Sequence, residues 1–373
     1  MILCVAGARP NFVKIAPVLA ALEARGLDAQ LVHTGQHYDA RMSDVFFRDL
    51  GIRPPDFSLD VGSGSHAVQT AAVLERFERV LESEQPSAVL VVGDVNSTLA
   101  CALATAKFQL ARPFACALGT RRRPILVHVE AGLRSFDDDM PEEVNRRLTD
   151  AISDVLLVSE AAGMRNLAAE GAAPARCFLV GNVMIDSLLA ARERAQESDV
   201  LERLGVADRP YGLVTLHRPS NVDEGLDDLL ATLDEASRVL PLVLPAHPRM
   251  RAKLDAAALS ARWIVTEPLG YLEFVQVMSK AAVVLTDSGG VQEETTVLGV
   301  PCLTLRTTTE RPITIDEGTN ELVGTRRTDI LAAFVRVMNG TRKPHRVPSL
   351  WDGAAAPRAA QVIESVLRAS RAA

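Results

Sequence analysis

Short apolar runs alternating with amphipathic stretches predict an α/β protein made of two consecutive doubly wound domains. Three observations carry that reading. The apolar runs are continuous rather than alternating, as in parallel strands buried on both faces. The pattern restarts past the middle of the chain, and 373 residues exceed what one hydrophobic core usually fills. Polar residues gather just after the apolar runs, where open parallel sheets bind their ligands.

Taken in order, residues 1–6 form a strand. Phe12, Ile15, Val18, Leu19 and Leu22 then recur at helical spacing through residues 11–25, and Gly26 closes that helix. Ala29–His33 is the next strand, leading to Gln36. His66–Glu84 reads as a long helix ended by Pro86, and Ala88–Val92 as a strand apolar on both faces. An Ala-rich helix to Lys107 follows, then strands at 125–129 and Val155–Val158. In the second half, strands are expected at 212–216, 239–245, 263–265, 282–285 and 301–305, and residues 354–373 as a helix that returns to the first domain. The domains are placed at 1–182 and 183–353, with the active-site cleft expected between them at the carboxyl ends of the strands.

Composition narrows the partners. Hydrophobic residues make up 48% and charged residues 23%, as in an ordinary globular protein. A formal net charge of −7 argues against a general nucleic-acid binder or a binder of anionic membranes. Cys4, Cys101, Cys116, Cys177 and Cys302 are scattered, with no CxxC pair, which fits a reduced, cytoplasmic compartment. The first apolar run lacks a basic leader, and no run reaches the length of a membrane span. The histidines have no metal-ligand spacing, so no metal is expected.

The sharpest anion signal is Thr286-Asp287-Ser288-Gly289-Gly290, which follows a strand and opens a helix. Paired glycines let backbone N–H groups approach an anion, and a helix start favours negative charge. Ser288 adds a hydroxyl, while Glu294 can accept from ribose hydroxyls. A Ser-capped helix with an acidic first turn is the plainer alternative. Arg9 and Arg311 each precede a proline at a strand exit, where a stiffened loop presents a guanidinium to phosphate. Lys14 falls in the first helical turns after Arg9 and adds a second cation.

His128 to Arg147 reads HVEAGLRSFDDDMPEEVNRR, a cluster of carboxylates and arginines at a strand exit. Glu130 lies between the buried strand and Gly132, so burial is expected to raise its pKa towards acid–base use. An ion pair with Arg134 is the alternative. Glu142, behind Pro141, is equally well explained by a helix start. Asp94 follows a buried strand, though Gly-Asp is also a common turn. His217 and His247 each end a strand, where a histidine is as often structural as chemical.

As a set, these segments resemble the non-hydrolysing UDP-N-acetylglucosamine 2-epimerase family. GARPNFVKIAPV, TGQHYD, GDVNST, HVEAGLRSFD, MPEEVNRR, GNVMID, TLHRPSN and LTDSGGVQEE occur in the family's order over nearly the whole chain. The resemblance implies a GT-B-like architecture of two Rossmann-type domains. It places Ser288, Gly289 and Gly290 on the diphosphate of a UDP-sugar, with Arg9 and Arg311 as cationic partners. Glu294 would bind ribose, and Leu269 to Phe274 would cover uracil. Asp94, Glu130, Glu142 and His217 match the catalytic and sugar-binding positions, with Glu130 preferred as the base. The implied reaction removes the C2 proton and breaks the C1–O bond. UDP then adds back to a 2-acetamidoglucal intermediate, reprotonated on the opposite face. No cofactor is implied, and a homodimer is usual for such enzymes.

Several departures accompany the resemblance. HRPSN at 217–221 stands where many relatives have HRREN, and Asp39 replaces a residue that is often Gln in relatives activated by a second substrate molecule. Such activation is therefore not expected. Asn11 replaces the commoner Glu after Arg-Pro, as in one subgroup. Residues 109–122 are extra, and are expected to form a surface or interface insertion. The competing readings are a hydrolysing epimerase, a 2-epimerase of another UDP-sugar, a GT-B glycosyltransferase, and a non-catalytic UDP-sugar-binding regulator. Four candidate acid–base groups argue against the last two.

Overall fold

A computed structural model describes residues 1–35, 40–218, 221, 225–246, 250–251, 253–254, 257 and 259–368, without the side chains of Arg9 and residues 40–44. Gln36, Asp39, Pro219, Ser220 and His247 therefore lie outside the described residues. Two compact units emerge: residues 1–187 with 349–373, and residues 188–348. The first ends a few residues beyond the boundary expected at 182, inside the helix Val183–Ala195.

The first unit carries strands β1 (Ile2–Ala6), β2 (Ala29–His33), β3 (Phe57–Ser58), β4 (Ala88–Val92), β5 (Phe114–Cys116), β6 (Gly119–Arg121), β7 (Ile125–Ala131), β8 (Val155–Val158) and β9 (Cys177–Leu179). Seven of them form a parallel sheet in the order β3-β2-β1-β4-β7-β8-β9. All five side chains of β4 are buried, which is why the run is apolar throughout. Leu3, Val5, Val89, Val91 and Leu126 of the sheet share a core with Val73, Phe77 and Leu81 of the helix His66–Glu84.

The second unit carries β10 (Gly212–Thr215), β11 (Leu242–Pro245), β12 (Trp263–Thr266), β13 (Val283–Thr286), β14 (Cys302–Thr304) and β15 (Asn320–Leu322), all parallel, in the order β12-β11-β10-β13-β14-β15. Leu229 and Leu233 of the helix Leu226–Ser237 and Phe334 of the helix Arg327–Met338 pack on Val214, Leu244, Leu285 and Leu303. In each unit the strand order reverses once, between β1 and β4 and between β10 and β13. The crevice outside the carboxyl ends of such a pair is where doubly wound sheets bind ligands.

Four sequence expectations need correction. β7 does not end at Val129 but runs to Ala131, with a register shift against β8 between Val129 and Ala131. Glu130 sits in that bulge at φ +71°, so it is re-aimed out of the strand rather than placed in a loop. Arg9 and Pro10 open the helix Arg9–Ala24 instead of breaking the chain before it, because proline's fixed φ suits a first helical turn. For the same reason Pro312 opens the helix Pro312–Asp316, with Arg311 at its N-cap. β11 starts only at Leu242, because the preceding helix runs to Ser237 and its last turn takes up the residues between.

Residues 109–122 form a hairpin of antiparallel β5 and β6. The Ala117 N–H donates to the Val366 carbonyl at 3.0 Å, and Arg121 and Arg123 converge on Asp154 at 2.5–2.9 Å. Asp154 also accepts from the Leu126 N–H at 2.9 Å, so the hairpin is anchored at the amino end of β7. Leu118, at its turn, is exposed.

The last residues of the first unit dock by polar contacts as well as apolar ones. Asp186 accepts the Ala355 and Ala356 N–H groups at 3.2 and 2.7 Å, capping the start of the helix Ala355–Leu367. Trp351 is buried, with Nε1 donating to the Ser159 carbonyl at 3.3 Å. Arg358 ties the Val180 and Leu350 carbonyls together at 2.6 and 2.9 Å. Gly181 sits among them at φ +91°, and a Cβ there would lie 2.1 Å from the Leu350 oxygen. Gly181→Ala therefore combines left-handed strain of about 1–2 kcal/mol with overpacking of about 1–3 kcal/mol. We expect Gly181→Ala to lower the first thermal-unfolding midpoint well below that of Gly171→Ala, whose φ is +80° but whose surroundings are open. Differential scanning fluorimetry of both variants checks this, and equal midpoints would refute it.

Candidate active site

In the first unit the turns after β1, β4 and β7 come together. The Glu130 side chain is 8% exposed and ion-paired to Lys14, itself 9% exposed. The expected alternative partner, Arg134, is committed elsewhere: it pairs with Asp150 at 2.8 Å and Glu170 at 2.6 Å. Lys14, expected as a cation for diphosphate, is thus the counter-ion of the candidate base. Gly93 lies against this pair, its Cβ position 3.2–3.5 Å from Asn11 Nδ2, Lys14 Nζ and Glu130 Oε2. Asn11 holds the turn, accepting from the Ala8 N–H at 2.9 Å and donating to the Val92 carbonyl at 3.0 Å.

Asp94, one residue on, is salt-bridged to Arg146, whose side chain is 3% exposed. The other side of that guanidinium meets Glu143 at 2.5 Å. Glu143 also accepts the Ser135 N–H at 2.9 Å, the Ser135 hydroxyl at 3.0 Å and the Phe136 N–H at 3.3 Å. Asn145 donates to the Asp94 carbonyl at 2.9 Å. The helix Pro141–Ile152 thereby fastens the Asp94 turn to the loop that follows Glu130. Of the paired glutamates, Glu143 is the buried one, while Glu142 is half-buried in the first turn. Asp138 and Asp139 are exposed, as expected of a solvated loop.

Behind these groups, His128 donates through Nδ1 to Asp150 Oδ1 (2.6 Å) and through Nε2 to the Gly93 carbonyl (2.8 Å). Burial alone would raise the Asp150 carboxyl, yet His128 and Arg134 hold it below the ordinary range. Sequence reasoning passed over Arg146, Asn145 and Asp150. A buried-face periodicity in EEVNRRLTD was the available signal.

In the second unit, Ser288 is the N-cap of the helix Gly289–Leu298, but its hydroxyl caps nothing. Its N–H donates to Thr286 Oγ1 at 3.0 Å. The helix-capping alternative therefore fails for this serine. Arg311, 4% exposed, reaches the same helix start: a Cβ on Gly289 would stand 2.5 Å from Arg311 Nη1. Glycine is required there for the guanidinium to approach. Arg311 is held by Glu293 at 3.0 Å and Glu310 at 2.5 Å, and Glu310 also meets Arg306 at 3.0 Å and Arg218 at 3.5 Å. Glu310 Oε1 stands 2.6 Å from the same Gly289 position, so Arg311 meets the helix N-terminus with its carboxylate partner beside it, and the helix start itself favours an anion.

Around it stand the remaining candidates. Leu269 and Phe274 are half-buried on either side of the start of the helix Tyr271–Lys280. Glu294 is 5% exposed, and its Oε1 accepts from the Tyr271 hydroxyl at 3.1 Å. Burial pushes its carboxyl up to about 8, the hydroxyl pulling down and neighbouring Glu293 pushing further up. At the β10 exit, the His217 side chain is 57% exposed, with Nδ1 2.8 Å from buried Asp287.

The family model described as UDP-N-acetylglucosamine 2-epimerase matches residues 20–364. The chain belongs to that family. It is 38% identical over 354 residues to the UDP-N-acetylglucosamine 2-epimerase of Methanocaldococcus jannaschii, covering 90% of this chain and 92% of that one. It is 41% identical over 346 residues to the UDP-2,3-diacetamido-2,3-dideoxy-D-glucuronate 2-epimerase of Pseudomonas aeruginosa, covering 91% and 92%. Among solved structures, the M. jannaschii UDP-GlcNAc 2-epimerase in complex with UDP-GlcNAc and UDP superposes with a TM-score of 0.87 at 35% identity, over 97% of this chain and 99% of that one. The Neisseria meningitidis UDP-GlcNAc 2-epimerase bound to UDP-GlcNAc gives 0.83 at 28%, over 97% and 98%. The GT-B-type architecture implied by the sequence is that of these structural neighbours. No described helix is long and apolar enough to cross a membrane.

The raised Glu294 carboxyl has a consequence for stability. Between its unfolded value near 4.5 and the folded value of about 8, the folded chain binds more protons at this site than the unfolded chain. The Glu294 contribution to stability therefore falls as pH rises through that window. Chemical denaturation of wild type and Glu294→Gln at pH 5, 6.5 and 8 should show the variant losing less stability over the series. Parallel losses would contradict the assignment.

Proposed function

We propose that this UDP-sugar 2-epimerase interconverts UDP-N-acetylglucosamine and UDP-N-acetylmannosamine without hydrolysis. A carboxylate takes the C2 proton while the C1–O bond breaks, releasing UDP and leaving 2-acetamidoglucal. UDP then returns to C1 as a proton is delivered to the opposite face of C2. Glu130 is the favoured base, with Asp94, Glu142 and His217 as the other acid–base and sugar-binding groups. Ser288, Gly289 and Gly290 hold the diphosphate with Arg311 and Arg9, Glu294 takes the ribose, and Leu269 to Phe274 cover the uracil. The observation that supports this most is the uncapped Ser288 beside Arg311 at a helix start. Donors placed to strengthen as charge develops on departing UDP are what the elimination requires. A cytoplasmic homodimer that works without a redox cofactor is the form the resemblance implies.

The Pseudomonas aeruginosa relative, at 41% identity, favours a second reading, in which the same chemistry acts on UDP-2,3-diacetamido-2,3-dideoxy-D-glucuronate. Proton NMR in D2O separates the readings. Deuterium at C2 with growing UDP-N-acetylmannosamine is expected from UDP-N-acetylglucosamine. Free N-acetylmannosamine with UDP would instead mark a hydrolysing enzyme, and exchange only with the diacetamido sugar would establish the second reading. Glu130→Gln should slow C2 exchange about 10²–10⁴-fold, the usual worth of a general base.

Ser288→Ala tests the leaving-group end separately. Because the hydroxyl makes no capping bond, its loss should not unfold the helix. A lost hydrogen bond to a charged group is worth about 1.5–3 kcal/mol, so the Kd for UDP should rise on the order of 10–100-fold by isothermal titration calorimetry. An unchanged Kd would remove Ser288 from the diphosphate site.

A further inference from the structure

β10 and β13 are paired in register, Thr215 opposite Thr286, so the residues after them emerge side by side. Asp287, the first residue beyond β13, is fully buried. Its carboxylate accepts the His217 N–H on both oxygens at 3.1 Å, the Arg218 N–H at 3.0 Å and Asn221 Nδ2 at 3.1 Å. It also faces His217 Nδ1 at 2.8 Å. Burial alone would raise this carboxyl, but the His217 ring and the backbone donors outweigh it and hold it below the usual carboxylate range. An ionised carboxylate only accepts, so Nδ1 carries the ring proton and Nε2 is the acceptor. The ring itself is more than half exposed, which leaves Nε2 on the side away from Asp287.

We propose that Asp287 is a positioning residue for the epimerisation, locking His217 in the Nδ1–H tautomer so that Nε2 can take up and return a proton. This rests on the reading of His217 as an acid–base group. Asp287 does so through the backbone as well as the ring, because the same two oxygens fix the peptide that carries the imidazole. The next residue is Ser288, so one turn sets both the imidazole and the helix start that takes the diphosphate.

The test combines a spectrum with kinetics on the full-length protein. Long-range proton–nitrogen NMR of 15N-histidine-labelled enzyme reads the tautomer directly, with His217→Gln identifying the resonance. Wild type should show a protonated Nδ1 and an acceptor Nε2 at His217. Asp287→Asn should scramble that tautomer and lower kcat about 10³–10⁴-fold, comparable to replacing the aspartate behind a catalytic histidine, with KM for the UDP-sugar within about threefold. Asn221→Ala removes a donor to the same carboxylate without touching the ring. It should keep the tautomer and lose less than about tenfold in kcat. A wild-type His217 protonated at Nε2, or an Asp287→Asn loss of kcat with the tautomer intact, would overturn the proposal. Absence of turnover in wild type with every UDP-sugar tried would sink the epimerase reading alone, because the tautomer is read without substrate.

Discussion

A carboxylate taken out of water costs several kcal/mol unless an opposite charge or several donors replace its hydration, and both units crowd carboxylates at their strand exits. Each is met in a specific way. Lys14 answers Glu130, and Arg146 is shared by Asp94 and Glu143. Arg134 and His128 answer Asp150, while Arg311 stands between Glu293 and Glu310. Asp287 is met mainly by N–H groups. Removing one partner from such a pair leaves an uncompensated buried charge, so these contacts constrain the turns far more tightly than solvated loops would be. Glu294 departs from the rule. With a tyrosine hydroxyl and a second glutamate nearby, it stays protonated to about pH 8.

The parallel sheets make this arrangement possible. A doubly wound sheet delivers all its strand carboxyl ends to one edge, and the reversal of strand order opens a crevice there. In the first unit the reversal falls between the paired β1 and β4, so the Gly7-Ala8 turn with the helix start after it and the Gly93-Asp94 turn face each other. In the second it separates β10 from β13, which sets His217 beside Asp287. Chemistry at these points needs only short turns on rigid strands, and positions held this way lose little entropy when a ligand binds.

The two edges hold their charges differently. The first unit pairs Glu130 with Lys14 and shares Arg146 between Asp94 and Glu143. The second sets Arg311 against a helix start whose N-cap hydroxyl makes no capping bond, a setting suited to an anion. In the proposed elimination the two demands arise together, since C2 must lose a proton as the C1–O bond lengthens.

Much of this was legible in the residues. Continuous apolar runs such as Ala88–Val92 can only be buried on both faces, so the parallel sheets, the restart of the pattern and the polar strand exits follow from composition and period alone. The short edge strands β3 and β9 were not legible, because β3 is only two residues and the three residues of β9 are too few and too exposed to separate a strand from a loop. Nor could period decide between Glu142 and Glu143, adjacent residues about 100° apart on a helix whose buried face is set by what packs on it. The Lys14–Glu130 pair joins residues 116 positions apart, and the contact of Asp287 with His217 spans 70. Local pattern determined which residues stand at the strand exits. Tertiary structure decided which charges face one another there, because that depends on strand order and on which groups burial forces into pairs.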